Sequence, residues 1–297
     1  MRLCTINLSF EQGHKKMKPV FDPTQYKITT KANWNTVASE YHYNWADKKI
    51  GPFKSTTEIV KVANIKPDDK ILDVACGTGV VSKEISQVLG PDGLLVGIDL
   101  SRTALNIARG SIAFENSMFL EMDAENIGLN FKFDKVTCQY GLMFFPDTQK
   151  VLILIKNILN HRGMLVVAVH GLAEDVPYFS TIMKPILEYI PDIRPVGTPT
   201  VHRFGNPQDL ETELKKAGFE SVSVTRHDFV YKPGTFDEYW DDYMQSTANS
   251  IRSRLESHGN EVMSKIKQDA RKNATRYEKD GNIIFPWTVL VAVGINH

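Results

Sequence analysis

The stretch Ile71-Leu72-Asp73-Val74-Ala75-Cys76-Gly77-Thr78-Gly79 limits what this chain can fold into more than any other. A short apolar run ends in a carboxylate and a glycine turn. The apolar residues behind the turn, Val80, Val81, Ile85, Val88 and Leu89, recur at helical spacing. Strand, glycine turn and helix in that order form an α/β unit that aims backbone N–H groups at an anionic part of a ligand. Two ligand classes use such a turn. A dinucleotide fingerprint wants a third glycine, for close helix packing, where this chain has Ser82, and it needs no carboxylate before the turn. Asp73 suits a ligand that carries an amino group and the bare turn suits one that carries a carboxylate, so an amino-acid head group fits both.

The pattern then alternates. Strands are predicted over 94–100, 118–122, 133–140 and 164–170, with helices over 101–109 and 147–159 between them. Strands alternating with helices imply a parallel, doubly wound α/β sheet with right-handed crossovers, whose ligands bind beyond the carboxyl ends of the strands. Those ends carry Asp99-Leu100, Asp123-Ala124, Gln139-Tyr140 and His170.

Leu72-Asp73-Val74-Ala75-Cys76-Gly77-Thr78-Gly79 closely resembles motif I of the class I S-adenosylmethionine-dependent methyltransferases. Ala75 replaces the first glycine of the usual pattern, as in the ubiquinone and menaquinone biosynthesis subgroup. Three further segments at the strand ends match the same family, so the resemblance covers residues 70–170. It implies a seven-stranded Rossmann-like sheet, mostly parallel, with the last strand antiparallel beside the fifth. It also implies that Asp73, Ala75, Gly77 and Gly79 hold the methionine end of S-adenosylmethionine, that Asp99 beside Leu100 takes the ribose hydroxyls, and that Asp123 and Ala124 take the adenine. Gln139 and Tyr140 would lie beside the donor methionine, and Trp34, Ala38 and Tyr41 resemble a segment that caps the cofactor. The implied activity is methyl transfer by in-line displacement to a small, apolar or aromatic acceptor, O- or C-methylation ahead of N-methylation, leaving S-adenosylhomocysteine. The alternatives are a nicotinamide-dependent oxidoreductase on a related fold and a cofactor-binding protein without turnover.

With 297 residues, 42% of them hydrophobic, the chain can bury one large core or a core with a cap. Lys plus Arg equals Asp plus Glu at 35 each, so no overall field recruits nucleic acid, and the basic run from Arg252 to Arg276 is interrupted by acids. Three cysteines, Cys4, Cys76 and Cys138, lack any metal-binding or disulfide spacing. No apolar run approaches the roughly 18 residues of a membrane span, and the expected location is cytoplasmic. The organisation expected is an extended arm over 1–31, where Gly13, Pro19 and Pro23 interrupt any sustained period, with Met17 as a second possible start. A helical cap follows over 32–66, then a methyltransferase domain over 67–297 with lid insertions at 171–206 and 235–281. Aromatic and imidazole side chains in the added segments, Trp34, Tyr41, Tyr178, His202 and Trp240, join Tyr140 as expected substrate-side residues. His170, at the end of the fifth strand, is the expected general base, because an imidazole titrates near neutral pH.

Overall fold

Ile71, Leu72, Asp73 and Val74 are buried and form the centre of one mixed sheet. The structure, a computed structural model, describes residues 20–297. Its strands are β1 (Lys70–Val74), β2 (Leu94–Asp99), β3 (Ser117–Glu121), β4 (Phe133–Gln139), β5 (Leu159–His170), β6 (Glu220–Gly234), β7 (Glu278–Lys279) and β8 (Asn282–Ile295). They lie in the order β3-β2-β1-β4-β5-β8-β6, with β7 paired to β8 off that path. The pairs among β1 to β5 are parallel, and β8 runs antiparallel to both β5 and β6. The order reverses between β1 and β4, and a ligand crevice is expected at that switch point.

The helices are α1 (Pro23–Tyr41), α2 (Thr56–Ala63), α3 (Val80–Ser86), α4 (Arg102–Ser111), α5 (Thr148–Ile158), α6 (Pro177–Tyr189), α7 (Pro207–Lys216), α8 (Phe236–Asp242), α9 (Asn249–Glu256) and α10 (Gly259–Ala274). They cover both faces of the sheet over two hydrophobic clusters. Helix α1 corrects the expected arm over 1–31: Asp22 caps it by accepting from Thr24 N and Gln25 N, and Pro23 sits in its first turn. Proline there loses no hydrogen bond, so Pro23 starts a helix that it was expected to interrupt. Residues 1–19 of that arm, with Met17, lie outside the described residues.

Two further elements were not expected. Helix α9 buries only Ile251 and Leu255, too few apolar positions to announce a helix. The β7–β8 hairpin turns on Asp280 and Gly281, both at positive φ, the conformation that an Asp-Gly turn favours.

Both segments expected as lids contribute side chains to the core. Val176, Tyr178, Ile182 and Ile186 from the first, and Tyr239, Tyr243, Ile266 and Ala270 from the second, share one cluster with Ile71 and Val81. A half-buried carboxylate ties them together: Asp242 on α8 accepts from Trp45 Nε1 at 2.8 Å, from the Tyr178 hydroxyl of α6 at 2.8 Å and from the Tyr231 hydroxyl of β6 at 3.5 Å. Burial raises the Asp242 carboxyl, and these three donors oppose that shift. Replacing Asp242 with leucine strands its donors away from water. Asp242→Leu should therefore lose about 3 kcal/mol of stability in urea unfolding, at 1–3 kcal/mol for each unsatisfied buried group. A loss below about 1 kcal/mol would show that water already serves these donors.

Candidate active site

The carboxyl ends of β1 to β4 open into a cleft of about 1190 Å³, part of it continuous with solvent. Asp73 forms its floor at 1% exposure. Its Oδ2 accepts from Ser82 Oγ of α3 at 2.6 Å and its Oδ1 from Thr137 Oγ1 of β4 at 2.9 Å. Burial dominates and raises the carboxyl to about 6, against the pull of those two hydroxyls. A cationic partner arriving here would relieve that penalty.

The turn behind Asp73 is built from three residues at positive φ, Ala75, Gly77 and Gly79. The two glycines do different things. A Cβ on Gly79 would meet Ile112 Cδ1 at 2.9 Å and Ala108 Cβ at 3.0 Å, so this glycine lets α3 and α4 approach. A Cβ on Gly77 would meet nothing within 4 Å among the described residues, so its missing side chain keeps space in the cleft. Cys76, between Ala75 and Gly77, is buried, and burial pushes its thiol well above the ordinary value. It is a small packing residue rather than a nucleophile.

Asp99, at the end of β2, accepts from Gly77 N at 2.9 Å and from Ser101 N at 2.8 Å. Burial nevertheless raises its carboxyl. Leu100 lines the cleft beside it. At the end of β3, Asp123 accepts from Glu125 N at 2.9 Å and from Lys27 Nζ at 2.8 Å, and Lys27 also reaches Glu125 Oε2 at 3.0 Å. Burial alone would raise the Asp123 carboxyl, but the Lys27 ammonium and the Glu125 N–H bring it below the usual range. Ala124 completes this edge of the cleft.

Gln139 and Tyr140 close the far end. Tyr140 stands at positive φ, and its hydroxyl lies 2.7 Å from both Pro52 O and Ser55 Oγ. Gln139 Nε2 donates to Ser55 Oγ at 3.0 Å, and its Oε1 accepts from Thr56 Oγ1 at 3.2 Å. The end of β4 is thus fastened to the start of α2. Backbone in a sparsely populated conformation, held by surrounding bonds, is common where geometry serves a ligand.

Of the expected substrate-side residues, Trp34, Tyr41 and Tyr140 line this cleft, with Phe53 between them. The rings meet edge to face: Trp34–Tyr41 at 5.3 Å, Tyr41–Phe53 at 5.6 Å and Phe53–Tyr140 at 6.3 Å. The others lie elsewhere. Tyr178 is fully buried and bonded to Asp242, Trp240 is buried under Lys267, and His202 belongs to a neighbouring space. Packing turns Tyr178 and Trp240 into the core and leaves His202 on the other space. His170, expected as the base, stands behind the cleft wall at 5% exposure, stacked on Tyr140 at 4.4 Å. Burial pushes its pKa well below the ordinary value, so it stays neutral.

Lys27, Tyr26 and Thr30 also line the cleft and were not expected. Their signal was present, since Tyr26, Thr30, Trp34, Ala38 and Tyr41 continue one helical stripe at steps of four and three. Pro23 concealed it.

A family model described as a methyltransferase domain matches residues 65–230. The demethylmenaquinone methyltransferase of Lactococcus lactis is 31% identical over 175 residues, 53% of this chain and 68% of that protein. The ubiquinone/menaquinone biosynthesis C-methyltransferase of Wigglesworthia glossinidia brevipalpis is 33% identical over 116 residues, 37% of this chain, which spans about half of that relative, 46%. Among solved structures, a phosphoethanolamine N-methyltransferase of Haemonchus contortus in complex with S-adenosyl-L-methionine superposes with a TM-score of 0.55 at 17% identity, covering 94% of this chain and 61% of that one. At that identity the likeness concerns the fold. The matched segment contains the glycine turn and every strand end that lines the cleft, so this chain belongs to the class I S-adenosylmethionine-dependent methyltransferases of the ubiquinone and menaquinone type.

Proposed function

We propose that the cleft holds S-adenosylmethionine across the β1–β4 switch point and that its aromatic end admits a small, apolar or aromatic methyl acceptor. The observation that carries this reading is the buried Asp73 carboxylate beside the open turn at Gly77, an acid and a row of backbone groups matched to an amino-acid head group. The residues present fit the cofactor. Asp73 takes the amino group, Ala75, Gly77 and Gly79 leave the turn bare for the carboxylate, Asp99 accepts from the ribose beside Leu100, and Asp123 with Ala124 meets the adenine once Lys27 shares its partner. Gln139 flanks the donor methionine.

When bound, the cofactor supplies a methyl group on a sulfonium that is already activated: the C–S bond breaks as the bond to the acceptor forms, and its electron pair stays on sulfur. The protein's part is to position and to exclude water, effects that together supply about 7–11 kcal/mol. Trp34, Tyr41, Phe53 and Tyr140 do this with rings whose faces also tolerate positive charge. O- or C-methylation is the reading that the quinone-methylating relatives favour, with N-methylation as the alternative. His170, one ring behind Tyr140, acts here through that ring by positioning it. The nicotinamide reading is disfavoured by Ser82, which is buried and bonded to Asp73 where a dinucleotide turn would pack a glycine.

Calorimetry with S-adenosylhomocysteine and NADH separates the two readings, and binding of NADH alone would overturn the proposal. Asp99→Ala should weaken S-adenosylhomocysteine by about 1.5–3 kcal/mol, the range for hydrogen bonds to a charged group. Unchanged affinity would remove Asp99 from the ribose. Gly77→Val should abolish binding, with a stability loss of only about 1–2 kcal/mol for a branched residue at positive φ; global unfolding would instead mark a structural glycine.

The pH dependence follows from Asp73. Its free-protein carboxyl lies near 6 and a cationic amino group binds the ionised form, so affinity is full above that pH and lost as pH falls through it. Affinity should drop roughly tenfold per unit below about 6, with a proton released on binding at pH 5. Asp73→Asn should bind weakly at every pH and lose the part of the slope centred near 6. A flat profile in the wild type would detach the amino group from Asp73.

A further inference from the structure

A second space of about 1280 Å³, open to solvent, adjoins the cleft and shares no lining residue with it. Helix α6 lines it with Phe179, Met183 and Leu187, and Val201 and Tyr243 supply more apolar surface. Its charged lining is Lys184, Arg194 and Glu188, two cations against one carboxylate. Neither cation forms an ion pair among the described residues, and the nearby Asp192 is already held by Arg254 at 2.8 Å. An apolar chamber with a surplus of unpaired cations is complementary to an apolar anion.

The chamber and the cleft share a wall of rings. Tyr140 faces the cleft, His170 stacks on it at 4.4 Å, and Phe179, which faces the chamber, lies 5.0 Å from His170 and 5.7 Å from His202. His202 Nδ1 lies 2.8 Å from Gly171 O and must donate to it, which leaves Nε2 as an unprotonated acceptor. That nitrogen and His170 Nδ1 are both buried without a partner among the described residues. Two unsatisfied groups in one partition give it hydrogen bonds to gain by rearranging around a ligand.

We propose that this chamber captures the methyl acceptor and that the acceptor is a small apolar anion, its body on Phe179, Met183 and Tyr243 and its charge toward Arg194 and Lys184. That it is the acceptor rests on the function proposed above; that an apolar anion binds here does not. Capture then takes place one wall of rings away from the donor, and the aromatic end of the cleft receives the acceptor across the Tyr140–His170–Phe179 partition.

The test uses two probes of one shape, 2-naphthoate and 2-naphthamide, titrated calorimetrically into the full chain with and without saturating S-adenosylhomocysteine. The acid should bind roughly fivefold more tightly than the amide, the range for partly exposed charge pairs. Arg194→Gln and Lys184→Gln, both at the chamber rim, should erase that preference, and Met183→Trp should block both probes, while S-adenosylhomocysteine affinity is unchanged in all three. Equal affinity of acid and amide, no binding by either, or displacement of naphthoate by S-adenosylhomocysteine would overturn the proposal. Failure of the wild type to bind S-adenosylhomocysteine would instead overturn the proposed function, and the naphthoate comparison would still decide whether the chamber takes an anion.

Discussion

The placement of one carboxylate, Asp73, organises the site. It is buried at the point where the strand order reverses, and two hydroxyls from different elements, Ser82 on α3 and Thr137 on β4, complete its hydrogen bonds. A lone ionised group so deep would be expelled by its desolvation penalty. The hydroxyls lower that penalty without cancelling it, and the carboxyl remains raised to about 6. The same contacts fix β1, β4 and α3 in register, so the group that suits a cationic ligand also sets the geometry of the turn behind it. Fold and site are here one set of bonds.

Helix α1 shapes the rest of the cleft. Its first turns are held by charge, with Lys27 on Asp123 and Glu125 and Lys31 on Glu121. Its middle is held by Asn35, whose side-chain oxygen accepts from Ser101 Oγ and Thr103 N at the start of α4. Its last turns are held by aromatic packing of Tyr41 against Trp45 and Phe53. Polar contacts thus fasten the helix over the ends of β2 and β3, and apolar contacts fasten it beside Gln139 and Tyr140. The exposed Lys31–Glu121 pair contributes at most about 1 kcal/mol, whereas the Lys27 pairs are half-buried and reach the buried Glu125.

The legible parts of this chain were those whose signal is local. The strand, turn and helix around Gly77 lie within twenty residues, and each of the matched strand ends is a short segment read in place. The unread parts depend on contacts across the chain. Tyr178 and Trp240 have the composition of pocket residues, but Asp242 draws the first inward and Lys267 covers the second. His170 has the right strand end and the wrong neighbour, because Tyr140, turned by its positive φ and held by Pro52, stands in front of it. No pattern in residues 133–170 announces that Pro52 will do this. The start of α1 was missed for the opposite reason: its stripe of cleft residues was visible, and a proline that begins helices well was read as one that breaks them.

The two ends of the cleft differ in how they accommodate charge, and this bears on how a ligand is taken up and released. At Asp73 the acid has neutral partners only, so burial raises it and a cationic group is favoured there. At Asp123 the acid already has a cation, Lys27, and lies below its usual range. A neutral amino group from an adenine gains less from an acid that an ammonium has satisfied. On the proposed reading, then, the methionine end supplies most of the electrostatic affinity and the adenine end supplies shape. Because Lys27 is carried by the helix that also presents Trp34 and Tyr41, a ligand that displaces it at one end loosens the polar fastening of the wall proposed to receive the acceptor at the other.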